Sequence, residues 1–222
     1  MNEADWLSTD DVEAVIETCR PEALLKPHTP NMHRIDRLLA TAFARRARLY
    51  GHPGPLSLEA IEFSEQFAEG EATISEFYMD APHRNHEPGG HVVSSVFLLG
   101  PYHTASSVID FAREFGLSDE GAAQERKYQC ALARCVYGNP FRRVFVYPSC
   151  LRWNDRTVVR IAQAIYADGD FGLMPVLADA LEESGCSDTE ILSHLRGPGP
   201  HIRGCYALDM LAEKLRPALR WA

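Results

Sequence analysis

The sequence contains no apolar run long enough to cross a membrane. Its longest apolar stretch, from Val92 to Gly100, is interrupted by Ser94 and Ser95 and falls well short of the ~20 residues that a transmembrane helix needs. The N-terminal residues MNEADWLSTDD are acidic and contain no hydrophobic segment of the kind found in signal peptides. We therefore expect a cytoplasmic protein without a membrane anchor, whose six cysteines stay reduced.

The sequence also lacks the short motifs that are typical of many enzymes and nucleotide-binding proteins. It contains no G-x-S-x-G nucleophile elbow, no G-x-x-x-x-G-K-[ST] phosphate loop, no G-x-G-x-x-G turn and no H-E-x-x-H helix. Six cysteines and nine histidines make a cysteine–histidine pair easy to find by chance, so their number does not indicate a hydrolase. We assign no catalytic residue, and whether the protein is an enzyme stays open, with a non-enzyme favoured.

Acidic residues outnumber basic residues by 31 to 22, and the net charge is -9. This balance opposes the phosphate neutralisation on which nucleic-acid binding depends, so nucleic acid is disfavoured as a partner. One local exception is the run Arg34, Arg37, Arg45, Arg46 and Arg48. It is interpreted as a solvated helix surface, with a basic nucleic-acid-binding face as the alternative.

The pattern of apolar residues favours an ordered helical protein. Apolar side chains recur three and four residues apart along most of the chain, which is typical of helices with one buried face. The predicted helices include residues 10–20, 31–50, 57–69, 104–115 and 118–137, one that is capped by Asn154 or Asp155, and one that opens with a Ser187–Glu190 capping box. Residues 142–147 alternate like a strand but have no partner, so we expect at most one short extended segment there.

The predicted fold class is therefore all-α, either a multi-helix bundle or a helical-repeat-like stack. We expect a single helical domain over residues 1–222, with a C-terminal helical subdomain over residues 138–222. Prolines and glycines in residues 79–103 mark a sub-boundary or an insertion whose structure the sequence leaves open.

Several segments together resemble an uncharacterised helical protein family of planctomycete-type bacteria. They are the N-terminal NEADWLS, the later SEQFAEGEAT, GNPFRRV at residues 138–144, and the C-terminal WNDRTVVRIAQAIYADGDFGLMPVLADALEESGCSD and HLRGPGPHIRGCYALDML. The middle of the chain, from about Met79 to Gly121, departs from the family pattern. The resemblance implies a helical fold in a bacterial cytoplasm, and it brings no known activity, cofactor or catalytic residue.

One group of residues, His194, His201 and Cys205, has the side chains of a zinc site. Positions 201 and 205 would face the same way if the last helix included both. Cys186 is excluded as a further ligand, because a helix over residues 187–195 would separate it from His194 by roughly 12 Å. The alternative interpretation is structural, with Cys205 as a small buried residue and His194 as a favourable charge at the C-terminus of its helix.

A second group of ligand-type residues, His83, His86, Glu87 and His91, lies in a loop rich in proline and glycine. Such a loop can wrap a metal ion, but its spacing matches no established motif, and a polar surface loop explains the same residues. We expect no cofactor unless one of the two groups binds zinc or another divalent metal.

The leading functional hypothesis from the sequence is a non-catalytic interaction or regulatory module of a bacterial cytoplasm, acting on a protein partner that the sequence does not identify. It rests on several amphipathic helices in a chain without enzyme motifs. The alternative is a metal-binding protein or a metal-dependent hydrolase that uses the loop with His83, His86, Glu87 and His91.

Overall fold

The structure is a computed structural model that describes residues 1–19, 34–51, 55–73, 91–92, 95–96 and 101–214, without the side chains of residues 55–57. These residues form α-helices joined by turns, with no β-strand among them, which confirms the predicted all-α class. The helices are α1 (Glu3–Ser8), α2 (Val12–Cys19), α3 (Arg34–Arg46), α4 (Pro55–Glu69), α5 (Pro101–Glu114), α6 (Asp119–Tyr137), α7 (Pro148–Asp168), α8 (Met174–Glu183), α9 (Thr189–Arg196) and α10 (Tyr206–Leu211). None of these helices combines the length and the apolar character that a bilayer span requires.

The chain divides into two compact units, Met1–Ala133 and Arg134–Ala222, and the division falls within α6. The C-terminal subdomain predicted over residues 138–222 lies inside the second unit. The boundary or insertion predicted at residues 79–103 falls largely outside the described residues, so it stays a prediction.

In the N-terminal unit, α3 packs against both α4 and α5. Ala40, Ala44 and Ala47 recur at helical spacing along one side of this segment and are fully buried. Their small side chains allow the neighbouring helices to approach closely, and Ile61 and Phe111 fill the space between them. Most of the apolar residues from which this helix was predicted are buried as well, but Leu49 is exposed.

The arginines of residues 34–48 largely serve contacts within the N-terminal unit. Three of them pair with glutamates of other helices: Arg34 with Glu69, Arg45 with Glu65, and Arg46 with Glu125. Arg37 is buried, with its guanidinium 5.0 Å from the centre of the Phe67 ring. Neither sequence interpretation, a solvated surface or a basic face, anticipated this use of the charges.

Glu125 is the centre of a buried ion pair in this unit. Its side chain is fully buried, and both of its oxygens accept hydrogen bonds from Arg46 at 2.6 Å. Tyr50 donates its hydroxyl to the same carboxylate, and the Arg46 guanidinium lies 3.6 Å from the centre of the Tyr128 ring. Burial alone would lower the pKa of Arg46, but the hydrogen bond and charge of Glu125 outweigh burial and raise it.

In the C-terminal unit, α7 packs against α8 and α10, and α9 packs against α8 and α10. Residues 154–156 have positive φ angles of 45° to 61°, so the backbone of α7 is interrupted close to the start that was predicted at Asn154 or Asp155. The predicted Ser187 cap of α9 is wrong by one residue. The cap is Asp188, whose carboxylate accepts the amides of Glu190 and Ile191 at 3.0 and 3.2 Å, because a carboxylate can satisfy two helix amides together.

The Glu125 pair leads to a stability prediction for the N-terminal unit. We expect Glu125→Ala to lower the free energy of unfolding by about 3 kcal/mol, because the substitution leaves the Arg46 charge buried without its carboxylate. Urea unfolding followed by far-ultraviolet circular dichroism measures the change.

The matched control is Arg113→Ala, which removes an exposed ion pair with Asp119, at 3.5 Å, from the same unit. This variant should unfold at the wild-type urea concentration, since exposed pairs contribute little. If the two variants unfolded at the same urea concentration, Glu125 would not contribute the stability that we assign to it.

Candidate metal centre

Four side chains with metal-binding atoms converge in the C-terminal unit: Cys135, His194, His201 and Cys205. Cys135 lies in the last turn of α6, and His194 lies in the last turn of α9. Cys205 is the residue immediately before α10, and His201 belongs to the non-helical connection that leads to it. All four ligands thus sit at helix ends or in a connection, where the chain changes direction.

The distances between the four ligand atoms suit a single ion. Nε2 of His194 lies 3.1 Å from Sγ of Cys205, and Nδ1 of His201 lies 3.8 Å from Sγ of Cys135. All four atoms lie within 4.8 Å of one another. Ligand atoms at ~2.0–2.3 Å from a tetrahedral zinc ion are themselves roughly 3.3–3.8 Å apart, so small side-chain movements are sufficient to close the tetrahedron.

The two cysteines of the cluster are buried, and their pKa values are shifted in opposite directions. Burial alone would raise the pKa of Cys205, but hydrogen bonds with Cys135, His194 and His201 outweigh burial and hold that pKa well below its ordinary value. The hydrogen bond to Cys205 and burial raise the pKa of Cys135. The surroundings of the two sulfurs therefore favour the thiolate form of Cys205 and the thiol form of Cys135.

His201 is oriented by the backbone of its own connection. Its Nε2 lies 3.4 Å from the carbonyl oxygen of Gly197, and a proton on that nitrogen leaves the lone pair on Nδ1, the atom that faces Cys135. Burial would lower the pKa of His201, but its hydrogen bond with Cys205 outweighs burial and raises it. The imidazole is thus held with a metal-binding nitrogen directed at the cluster.

His194 is held by aromatic contacts. The ring of Tyr206 lies 4.7 Å from the ring of His194, centre to centre, and the His201 ring meets the His194 ring edge-on at 4.9 Å. Gly138, with a φ of 71°, lies directly against Tyr206, so that a Cβ there would come within 3.1–3.3 Å of the tyrosine ring. Gly138 therefore provides the space in which Tyr206 supports His194.

The structure brings together the three residues of the first sequence-based group, His194, His201 and Cys205, and adds Cys135. The last helix begins only at Tyr206, so the condition that it include His201 and Cys205 is not met, and the two residues meet through a turn instead of through helical spacing. Cys135 was missed because it lies far from the others in sequence, and no motif spacing links it to them. Cys186 is buried elsewhere in the core of the unit.

Most of the second predicted group, His83, His86 and Glu87, lies outside the described residues. His91 is described and exposed, and its Nε2 lies 3.2 Å from the carbonyl oxygen of Ser107. Metal binding by this loop therefore stays a prediction.

Comparisons of the chain with protein-family models, with curated proteins and with solved structures found no match. The resemblance to a planctomycete family accordingly stays a prediction. The function must be inferred from the chain's own residues, and the four-residue cluster is the part of the described structure with the most specific chemistry.

The contact between Gly138 and Tyr206 leads to a prediction about the support of His194. We expect Gly138→Ala to lower the free energy of unfolding by about 1 kcal/mol through its positive φ, and by a further ~1–2 kcal/mol through the collision with Tyr206. Because the collision displaces the tyrosine from His194, the variant should also bind zinc more weakly. Urea unfolding and competition with a chromogenic zinc chelator measure the two effects.

The control for this prediction is Gly169→Ala. Gly169 has nearly the same φ, 68°, in the same unit, but a Cβ there meets no atom within 4 Å. It should show the backbone cost alone and wild-type zinc affinity. Equal losses of stability in the two variants, with zinc binding unchanged in both, would contradict the supporting role of Tyr206.

Proposed function

We propose that this chain is a non-catalytic zinc-binding protein, in which Cys135, His194, His201 and Cys205 hold one Zn²⁺ that stabilises the C-terminal unit. The observation that carries the proposal is the convergence of the four ligand atoms within 4.8 Å. Two cysteines and two histidines form one of the common ligand sets of structural zinc sites. The proposal combines the two sequence hypotheses, a non-catalytic module and a metal-binding protein.

The ligand types favour zinc over other metals. Calcium and magnesium prefer oxygen ligands, whereas two sulfurs and two nitrogens in a tetrahedron suit zinc. Two thiolates also cancel the double charge of the ion, so the occupied site is electrically neutral with both imidazoles uncharged. Neutrality matters because Cys135 and Cys205 are almost completely buried, and burying an uncompensated charge is costly.

Two features argue against a catalytic role for the cluster. Catalytic zinc sites usually have three protein ligands and an open position for water or substrate, whereas four ligands here fill the tetrahedron. The other catalytic role to weigh is that of a cysteine nucleophile, because Cys205 has a lowered pKa and lies beside two histidines. Its side chain is 0% exposed, however, so a substrate has no access to the sulfur unless the unit opens locally.

The ion would join parts of the unit that are distant in sequence. Cys135 ends α6, while the other three ligands flank α9 and α10. Because α10 has only six residues, it is too short to be stable by itself. Binding free energy at such sites becomes folding free energy. Its apparent value is ~10–16 kcal/mol in zinc-finger peptides, so even a fraction of it would be large beside the stability of a small domain.

Zinc content tests the proposal directly. We expect the full chain, purified without a metal-affinity tag, to contain one zinc per molecule by plasma mass spectrometry. Cys135→Ala and His201→Ala should lose the ion and melt at lower temperature, because each removes one ligand of a buried site. Replacement by Co²⁺ should give the visible absorption of a tetrahedral ion with thiolate ligands.

The controls replace the same residue types elsewhere. Cys150→Ala removes a buried cysteine of the same unit outside the cluster, and His103→Ala removes an exposed histidine. Both variants should retain zinc. A wild-type chain that contains no zinc, and shows no thiolate absorption with Co²⁺, would refute the proposal.

A second proposal concerns the partner of this module. Residues 143–147 are neither helix nor strand, and they place Val144 and Val146 against the core of the unit. The aromatic strip, which we define as Phe141, Phe145 and Tyr147, is 42–60% exposed, an uncommon position for large apolar side chains. This observation favours a protein-interaction surface.

We propose that the aromatic strip binds an extended acidic protein segment. The basis is charge complementarity, because the exposed Arg142 and Arg143 lie within the same run of residues as the aromatic strip. Arg142 also lies 3.5 Å from the carboxylate of Glu190 in the same unit, which offsets part of its charge.

Affinity capture from a lysate of the source organism tests the second proposal. A partner of the aromatic strip should be retained by the wild type and released by high salt, and it should be lost with Phe145→Ser/Tyr147→Ser. Leu173→Ser, which alters an exposed apolar residue of the same unit outside the strip, should retain it. If the wild type, the double variant and Leu173→Ser all captured the same proteins, the aromatic strip would not be the binding surface.

A further inference from the structure

Two of the six cysteines belong to the proposed zinc site and lie close to each other. The sulfurs of Cys135 and Cys205 are within 4.8 Å. Cys19, Cys130, Cys150 and Cys186 are also buried, but they lie outside this cluster. A sulfur beside a second sulfur is the arrangement from which oxidation forms a disulfide.

We infer that peroxides regulate the proposed zinc site, by joining Cys135 to Cys205 in a disulfide that releases the ion. The inference rests on the proposed function, because zinc must be bound before it can be released. It names the chemical class of the signal, a small hydroperoxide, and the two residues that respond to it.

Disulfide formation requires only a local approach of the two sulfurs. Sulfurs bound to one tetrahedral zinc ion are roughly 3.8 Å apart, whereas a disulfide bond is about 2.05 Å long. Cys205 precedes α10 and follows Gly204, which has a φ of 88°, so this residue belongs to a turn and not to a rigid helix. Rotation of the Cys205 side chain and a small shift of the turn can therefore shorten the distance.

The chemistry needs no reagent other than the peroxide and two protons. One thiolate attacks a peroxide oxygen, the O–O bond breaks, and a sulfenic acid and one water form after protonation. The second thiolate attacks the sulfenic sulfur, the S–S bond forms and the S–O bond breaks, releasing a second water after protonation. The two sulfurs together lose two electrons, and the peroxide gains them.

Loss of both thiolates removes the basis of zinc binding. His194 and His201 remain as ligands, but two neutral imidazoles neither complete the tetrahedron nor cancel the charge of the ion. The new disulfide joins the same two segments that the ion had joined, the end of α6 and the start of α10. Oxidation should therefore free the connection over residues 194–201 while most of the helical structure persists.

Burial of the sulfurs makes the site selective for small oxidants. Cys135 is 2% exposed and Cys205 is 0% exposed, whereas both histidines are partly exposed. Hydrogen peroxide is small enough to reach a sulfur during local opening, but glutathione disulfide is far larger and needs an exposed thiolate. The site should respond to peroxide much faster than to an equal concentration of glutathione disulfide.

The test treats the zinc-loaded full chain with hydrogen peroxide, removes the excess with catalase, and measures free zinc with 4-(2-pyridylazo)resorcinol. We expect one zinc to be released for every two thiols lost, and peptide mass mapping should show a Cys135–Cys205 disulfide. Dithiothreitol should restore zinc binding, and the far-ultraviolet spectrum should change little. Cys150→Ser should behave as the wild type does.

Cys135→His supplies the decisive variant, because it offers a fourth zinc ligand but no second sulfur. If it binds zinc, it should retain the ion in peroxide, and rapid release from it would overturn the inference. Zinc kept by the oxidised wild type, or release with any other cysteine pairing or with sulfinic acid, would also overturn it. A wild-type chain without zinc before peroxide is added would refute the proposed function and this inference together.

Discussion

Two sulfurs and two ring nitrogens converge within 4.8 Å beside the apolar core of the C-terminal unit, and the fold of that unit depends on how their charge is balanced. A buried polar group is costly unless it is satisfied, and thiols are weak hydrogen-bond donors. Hydrogen bonds with Cys135, His194 and His201 lower the pKa of Cys205 and so favour a single thiolate at that sulfur. A zinc ion would balance two thiolates and bind all four atoms, which is why the same geometry favours the occupied state.

The N-terminal unit also contains a buried charged group, which is compensated by side chains instead of a metal ion. There the buried carboxylate of Glu125 is compensated by Arg46 and Tyr50, which come from a segment distant in sequence. Both units thus join separate parts of the chain through buried polar groups. In the N-terminal unit the counter-charge is a side chain of the protein itself, whereas in the C-terminal unit it would be a zinc ion taken from solution. Conditions that change metal supply or thiol oxidation should therefore act on the C-terminal unit and leave the N-terminal unit largely unaffected.

Local sequence signals were sufficient for the helices but not for the complete site. Apolar spacing, caps and glycine breakers act within one or two turns, so the helical class could be predicted, and the cap of α9 was misplaced only from Asp188 to Ser187. His194, His201 and Cys205 could be grouped because they lie close together in sequence. Cys135 could not, since its distance to them is set by the packing of α6 against the rest of the unit. The contacts of Arg46 could not be predicted from the sequence for the same reason.

The positions of the four ligands explain why an ion is useful at this place in the fold. The chain between α9 and α10 contains Gly197, Gly199 and Gly204, and few backbone hydrogen bonds hold it. The helices on either side bury leucines, but apolar contact is non-directional and does not determine the path of the connection between them. Metal–ligand bonds are directional, and two of the four would come from the connection itself, at His201 and Cys205. The zinc site that we propose would therefore supply directional contacts at a place where helices and apolar packing do not.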